Sequence, residues 1–184
     1  MRILGISGSL RAGSYNTNLL RAAAEAAPEG VELVVWEGLR EIPPYDADDD
    51  VEPAPEPVRR LREAMADADA LLFATPEYNA SVPGQLKNAV DWASRPFPGS
   101  ALRGKPAAVV GAATGSFGGV WAQADLRKIL STAGARVVEA AVAVPKAAEA
   151  FDDEGRLLSE ETRTALHGLV AELMAEARPV PVAA

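Results

Sequence analysis

The segment of residues 8–17 reads GSLRAGSYNT and combines the groups that bind a phosphate. Hydroxyls stand at Ser9, Ser14 and Thr17, and Arg11 adds a guanidinium. A short apolar run precedes the segment and a helical pattern follows it, so backbone N–H groups and a helix dipole would join these side chains. The segment lacks the Gly-Lys-Ser/Thr of a Walker loop and the spaced glycines of the dinucleotide fingerprint. A Gly/Ser turn that only caps a helix has the same composition, so both interpretations stay open here.

A second segment with unusual chemistry covers residues 75–84 and reads TPEYNASVPG. Two prolines restrict its backbone, Tyr78 offers a flat face, and the Asn79 amide can both donate and accept hydrogen bonds. This combination suits the edge of a flat heteroaromatic ring such as an isoalloxazine. A rigid turn whose tyrosine packs on a neighbour is the competing interpretation.

A third segment, residues 113–119, reads ATGSFGG. Its glycines would let the backbone come close to a ligand, with little side chain in the way. The same glycines could simply permit a tight turn between a strand and a helix.

Apolar runs alternate with helical patterns along the chain, which predicts how these three segments are positioned. We predict strands at residues 3–6, 31–36, 70–74, 106–110 and 137–144. We predict helices that start near Asn16, at residues 58–67 and 81–93, after residue 119, and at residues 160–177. Residues 42–57, rich in proline and aspartate, are predicted to form a loop or lid.

Five alternating units of this kind predict one α/β domain over residues 1–184. Right-handed crossovers place helices on both faces of a parallel sheet, so we expect a flavodoxin-like three-layer sandwich with strand order 2-1-3-4-5. Ligands of such sheets bind at the carboxyl ends of the strands, where the strand order reverses. The three unusual segments all leave carboxyl ends, on the first, third and fourth strands.

Composition narrows the classes of function. The net charge of −8 argues against a nucleic-acid surface, and the absence of cysteine removes disulfides, thiolate metal sites and cysteine nucleophiles. The single histidine, His167, falls in a predicted helix and is assigned to the surface or to packing. No run approaches the ~18 apolar residues of a membrane span, and the N-terminal residues lack a signal-peptide pattern. We therefore expect a cytoplasmic protein with no metal, membrane or nucleic-acid partner.

The three segments together resemble the NADPH-dependent FMN reductase family, which includes bacterial quinone, chromate and azo-dye reductases. The resemblance extends over nearly the whole chain. The residues that carry it are Gly8-Ser9-Leu10-Arg11, Ser14 and Asn16; Pro76-Glu77-Tyr78-Asn79, Ser81 and Pro83-Gly84; Leu86 to Trp92 with Ser94-Arg95; Gly118-Gly119; and Phe151 to Leu157.

This resemblance implies a non-covalent FMN and the residues that would hold it. The phosphate would lie against Ser9, Arg11, Ser14, Asn16 and Thr17. The ring would lie against Pro76, Glu77, Tyr78 and Asn79, with Thr114 and Gly115 near its other side. NADPH or NADH would deliver two electrons as a hydride, and a quinone, azo compound, chromate or free flavin would then take them in a ping-pong sequence. No catalytic side chain is required, because the flavin carries the chemistry.

Family members are dimers or tetramers with the flavin near a subunit boundary, so we expect a homodimer or homotetramer. Trp121 stands where tetrameric relatives often carry arginine, which favours the dimer. Three roles stay open for Trp121 itself: an interface anchor, a residue that lies over the site, or a packing residue. A flavodoxin-type electron carrier that serves protein partners is the main alternative, and a flavin-free binding module is a second. The sequence determines neither the physiological acceptor nor the choice between NADPH and NADH.

Overall fold

A computed structural model describes residues 1–177 and contains a five-stranded parallel sheet of order 2-1-3-4-5, which confirms the predicted topology. The strands are β1 (Arg2–Ser7), β2 (Glu32–Trp36), β3 (Ala70–Ala74), β4 (Pro106–Ala112) and β5 (Arg136–Val144). Every residue of β3 and β4 is buried, as expected for central strands covered on both faces. Ser7 lies opposite Ala74, so β1 and β3 end at the same edge of the sheet.

Helices cover both faces of this sheet. They are α1 (Tyr15–Glu25), α2 (Glu56–Asp67), α3 (Gly84–Ala93), α4 (Val120–Thr132), the single turn α5 (Ala147–Ala150) and α6 (Glu160–Ala177). The helices α1 and α6 pack on the face that carries Ile3 and Leu72, whereas α2, α3 and α4 pack on the face that carries Leu4 and Phe73. Successive residues of a strand therefore pack into the two hydrophobic cores on opposite faces of the sheet.

The helix α1 begins at Tyr15 after a Ser14 cap, near Asn16 as predicted, whereas two other helix starts differ from the predicted ones for local reasons. The helix α2 begins at Glu56, two residues early, because proline is tolerated in the first turn. The helix α3 begins at Gly84, not at residue 81, because residues 78–81 form a turn of their own.

Residues 42–57 form a loop fastened to α3, not a free lid, and their last two residues already belong to α2. The Pro43 carbonyl accepts hydrogen bonds from Asn88 Nδ2 at 2.7 Å and from Trp92 Nε1 at 2.9 Å. The Tyr45 N–H donates to Asn88 Oδ1 at 2.7 Å, and its ring meets Trp92 edge-on with centroids 4.9 Å apart. These contacts hold the loop against α3.

Two further features concern α6 and the helices in general. His167 is exposed, and its Nδ1 lies 2.8 Å from the Ala26 carbonyl, which fits the surface role assigned to it. Within residues 1–177, no helix is long and apolar enough to cross a bilayer.

Candidate functional site

A cleft of about 450 Å³ opens at the carboxyl ends of β1, β3 and β4. Its walls are residues of the three segments singled out from the sequence. It is lined by Ser9, Arg11, Ser14, Tyr15, Asn16, Pro76, Glu77, Tyr78, Ala112, Ala113 and Thr114. Most predicted binding residues therefore converge on one cleft, whereas Thr17, Asn79 and Gly115 are not among its lining residues.

One end of the cleft is built to hold an anion. The Ser14 side chain caps α1 by accepting a hydrogen bond from the Thr17 N–H at 3.2 Å. The amides of the first turn of a helix have no partner within the helix, and they carry the positive end of its dipole. Arg11 is exposed beside this turn, with its guanidinium 6.0 Å from the centre of the Tyr15 ring. Within residues 1–177, Arg11 forms no ion pair.

Two of the predicted phosphate ligands use their side chains elsewhere. Asn16 Nδ2 donates to the Ala112 carbonyl at 2.9 Å, and Asn16 Oδ1 accepts from the Ala112 N–H at 3.0 Å. The Thr17 hydroxyl donates to Ser7 Oγ at 2.9 Å and faces a neighbouring cleft. The Asn16 amide therefore fixes α1 to β4, and the group that Asn16 can offer to a ligand is its main-chain N–H.

The other end of the cleft is a tight turn that presents Tyr78. Tyr78 and Ser81 exchange two main-chain hydrogen bonds of 3.1 Å each, so Asn79 and Ala80 are the two residues of the loop. Both have left-handed backbones, with φ of 52° and 59°. This is the geometry of a type I′ turn, which strongly favours Asn-Gly. The turn leaves Tyr78 51% exposed at the cleft.

Ala80→Gly should stabilise the protein by about 1 kcal/mol, because a left-handed backbone is strained for alanine and not for glycine. Urea unfolding measures the change, and the slope with denaturant should stay constant. Ala64→Gly within α2 is the matched control and should destabilise by about 1 kcal/mol. Equal losses for both variants would mean that Ala80 carries no strain.

The side chain of Glu77 holds this turn against α4. Its Oε2 accepts hydrogen bonds from the N–H groups of Trp121 at 3.0 Å and Ala122 at 3.1 Å. Gly119, the residue before α4, has no side chain that could supply this cap. The Ser81 hydroxyl also donates to Asp125 Oδ2 at 2.7 Å, so α4 holds the turn on both sides. Glu77 lines the cleft, but its carboxylate is committed to the helix, which leaves Tyr78 and the main chain to meet a ligand.

Close packing explains Gly111 at the end of β4 and Gly118 in the third segment. A Cβ at Gly111 would lie 3.0 Å from the Thr75 carbonyl oxygen, and one at Gly118 would lie 2.8 Å from the Val144 nitrogen. Gly118 also has a φ of 63°, so the structure supports the tight-turn interpretation at this residue, whereas a Cβ at Gly115 would meet no atom within 4 Å. The Gly115 carbonyl accepts from the Lys146 N–H at 3.0 Å, which ties this segment to the chain beyond β5.

The donor set suits an elongated ligand with a phosphate at one end and a flat ring at the other. A guanidinium, a serine hydroxyl and first-turn amides match the phosphate. A proline, an exposed tyrosine and main-chain amides match a polar heteroaromatic ring, and Ala112 and Ala113 leave room between the two ends. These groups fit FMN. Within residues 1–177 there is no cluster of three His, Cys, Asp or Glu residues that could hold a metal ion.

Sequence reasoning missed three lining residues. Tyr15 and Ala113 lie inside two of the singled-out segments but were not assigned a binding role, and Ala112 is the last residue of β4. All three side chains are uncharged, so only their positions beside the predicted ligands could have indicated them.

Comparison with known proteins agrees with this geometry. Residues 1–149 match the family model described as NADPH-dependent FMN reductase. The chain is 46% identical over 164 residues to an NAD(P)H-dependent FMN reductase of Pseudomonas aeruginosa, covering 89% of this chain and 88% of that protein. It is 42% identical over 166 residues to a quinone reductase of Pseudomonas putida, covering 90% and 88%. Among solved structures, the flavoenzyme NAD(P)H:(acceptor) oxidoreductase FerB of Paracoccus denitrificans superposes with a TM-score of 0.85 at 35% identity, covering 96% of each chain.

Proposed function

This chain belongs to the NADPH-dependent FMN reductase family, and from that premise we propose that the cleft holds FMN and that the protein uses NAD(P)H to reduce quinone-like acceptors. One observation carries the proposal. The anion-binding end at Arg11 and the ring-binding end at Tyr78 line a single cleft at the point where the strand order reverses. We further propose that residues 1–184 work as one FMN-binding domain in the cytoplasm.

The cofactor would be held by side chains at both ends of the cleft and by main-chain groups between them. Ser9, Arg11 and the amides of the Ser14-capped turn would bind the phosphate. Pro76, Tyr78 and the main chain at Asn79 would border the ring. Thr114 would lie on the opposite side of the cleft, and Gly115, Asn16, Thr17 and Glu77 would act by holding the backbone in place.

Bound FMN supplies the redox chemistry, accepting two electrons from NAD(P)H and passing them to the acceptor. The side chains then have the tasks of binding and orientation. Glu77, the carboxylate that lines the cleft, already accepts two main-chain hydrogen bonds, so it is not offered as a proton donor or acceptor. We accordingly assign no catalytic side chain.

Nucleotide and acceptor should use the mouth of the cleft in turn and give ping-pong kinetics. The sheet lies beneath the cleft and the three segments form its walls, so one side is left open to both substrates. Double-reciprocal plots against NAD(P)H at several benzoquinone concentrations should be parallel, and excess quinone should compete with the nucleotide. Converging lines that require a ternary complex would contradict a single shared opening.

The electron-carrier alternative is less well supported. Two relatives that are 46% and 42% identical to this chain, over about nine-tenths of its length, are both named as reductases. Steady oxidation of NAD(P)H by the purified protein with benzoquinone, and no added protein partner, separates an enzyme from a carrier.

We propose that the protein is a homodimer and that an exposed aromatic edge beside the Tyr78 turn forms part of its interface. Phe117 and Trp121 are 63% and 48% exposed, and their rings meet edge-on with centroids 5.0 Å apart. Glu77, which lines the cleft, accepts a hydrogen bond from the Trp121 N–H, so this aromatic edge lies next to the cleft. Large exposed aromatic residues of this kind are typical anchors of protein interfaces.

Trp121→Glu should therefore weaken dimerisation at least ~30-fold, as expected for loss of an interface hot spot. Sedimentation across a concentration series measures the change. Leu158→Glu, at an exposed apolar residue of another region, is the control and should leave the association unchanged. A monomeric wild-type protein, or equal behaviour of the two variants, would refute this interface.

A further inference from the structure

A second cleft, of about 640 Å³, lies on the other side of the phosphate-binding segment. It shares Ser9 and Arg11 with the first cleft and extends over the end of β2 to the turn Gly38–Glu41. The function proposed above gives this cleft no role. It is lined by Ser7, Ser9, Leu10, Arg11, Ala12, Thr17, Arg21, Val35, Trp36, Glu37, Leu39 and Arg40.

The charge of this cleft is opposite to that of the chain. Three arginines, Arg11, Arg21 and Arg40, face one carboxylate, Glu37, which leaves a local charge of +2 (three minus one) in a chain of net charge −8. Within residues 1–177, none of the three forms an ion pair. Three guanidinium groups with one carboxylate among them, and without ion pairs, attract anions.

Neutral partners hold two of these guanidinium groups in place. Arg40 Nη2 donates to the Leu10 carbonyl at 2.6 Å, and Arg21 Nη1 donates to Asn18 Oδ1 at 3.0 Å. A guanidinium has five N–H donors, so each of these side chains keeps several for another acceptor. The paired N–H donors of a guanidinium that is already held in place match the spacing of the oxygen atoms of a phosphate.

The opposite flank of the phosphate-binding segment has the reverse charge. A cleft of about 800 Å³ there is lined by Asp152, Asp153 and Glu154 against Arg21, which lies between the two flanks. Hydrogen bonds from the main chain and side chain of Arg156 lower the pKa of Asp152, so this carboxylate stays ionised. A phosphorylated molecule that extends from the Tyr78 end of the site would be repelled on this flank and attracted on the other.

We propose that the arginine cleft binds the 2′-phosphate of NADPH through Arg21 and Arg40, and that it selects NADPH over NADH. This inference rests on the proposed function, because that function supplies the nucleotide. Arg11 is assigned to the cofactor phosphate in the first cleft, so Arg21 and Arg40 are the cations left for a second phosphate. The half-buried Trp36 adds an aromatic surface beside them.

Arg40→Gln and Arg21→Gln in the FMN-loaded protein test the proposal. Each variant should raise KM for NADPH roughly tenfold or more, as expected for one lost charge-assisted hydrogen bond, and should leave KM for NADH nearly unchanged. Arg59→Gln on α2 makes the same change of charge outside the cleft and should affect neither nucleotide. Equal increases for NADPH and NADH, or no increase, would overturn the proposal.

A binding measurement separates this inference from the proposed function. In calorimetric titrations, 2′-AMP should bind the wild-type protein more tightly than 5′-AMP does, and Arg21→Gln should remove the difference. Arg21 does not contact the Leu10 carbonyl, so this variant stays informative even if Arg40→Gln disturbs the loop. Equal binding of the two nucleotides would overturn the proposal. Failure to retain FMN or to oxidise NAD(P)H would instead count against the proposed function.

Discussion

Arg11→Ala should weaken FMN binding roughly ten- to 150-fold without unfolding the protein. Arg11 is exposed beside the Ser14-capped turn and forms no ion pair within residues 1–177, so its removal breaks no ionic contact in the described fold. A hydrogen bond to a charged group contributes about 1.5–3 kcal/mol, which sets the expected range. Titration of the apoprotein with FMN, followed by flavin fluorescence, measures the dissociation constant.

Riboflavin provides the matched control, because it carries the same ring without the phosphate. Arg11→Ala should leave riboflavin affinity close to that of the wild-type protein, and Arg59→Ala should leave the affinity for both flavins unchanged. An unchanged FMN affinity would assign Arg11 to the solvated surface. Equal losses for FMN and riboflavin would place Arg11 near the ring and contradict the proposed orientation of the cofactor.

Asn16→Leu should lower the free energy of unfolding by about 2–6 kcal/mol. The variant leaves the buried N–H and carbonyl of Ala112 without partners, and each unsatisfied buried group costs about 1–3 kcal/mol. Leucine is branched at Cγ like asparagine and has good helix propensity, so the lost hydrogen bonds should make the largest contribution. Chemical denaturation measures the change, provided that the slope with denaturant stays constant.

Asn18→Leu on the same helix is the control for this prediction. Asn18 is partly exposed and its side chain bonds the exposed Arg21, so its loss should cost less than about 0.5 kcal/mol. FMN affinity should fall for Asn16→Leu because Ala112 lines the cleft. Similar stability losses for the two variants would show that the Asn16–Ala112 bonds do not hold α1 to the sheet.

The topology was predictable because it depends on patterns along the sequence. Five apolar runs separated by helical segments require a parallel sheet with helices on both faces, and the start of α6 at Glu160 agrees with the predicted one. The ends of other elements depended on capping and turns. The sequence left the cap of α1 open among Asn16 and its neighbours, and the structure assigns it to Ser14, since the Asn16 side chain is engaged by β4.

The cleft was predictable as a set of loops but not as a set of contacts. The Asn16–Ala112 bonds join residues 96 positions apart, and the Glu77 cap on α4 joins residues 44 and 45 positions apart. Side chains with several possible hydrogen-bonding roles do not reveal in the sequence which role they take. The sequence therefore predicted that Asn16 and Glu77 bind the cofactor directly and did not reveal the main-chain hydrogen bonds that their side chains make around the cleft.

Anaerobic titration of the FMN-reconstituted protein with NADPH, followed by benzoquinone, tests whether this cleft is the site of an FMN-dependent reductase. We expect one releasable FMN per chain, loss of the flavin absorbance when NADPH is added, and its return when the quinone follows. A protein that takes up no FMN, or one whose bound FMN keeps its absorbance in the presence of both NADPH and NADH, would contradict the proposed function.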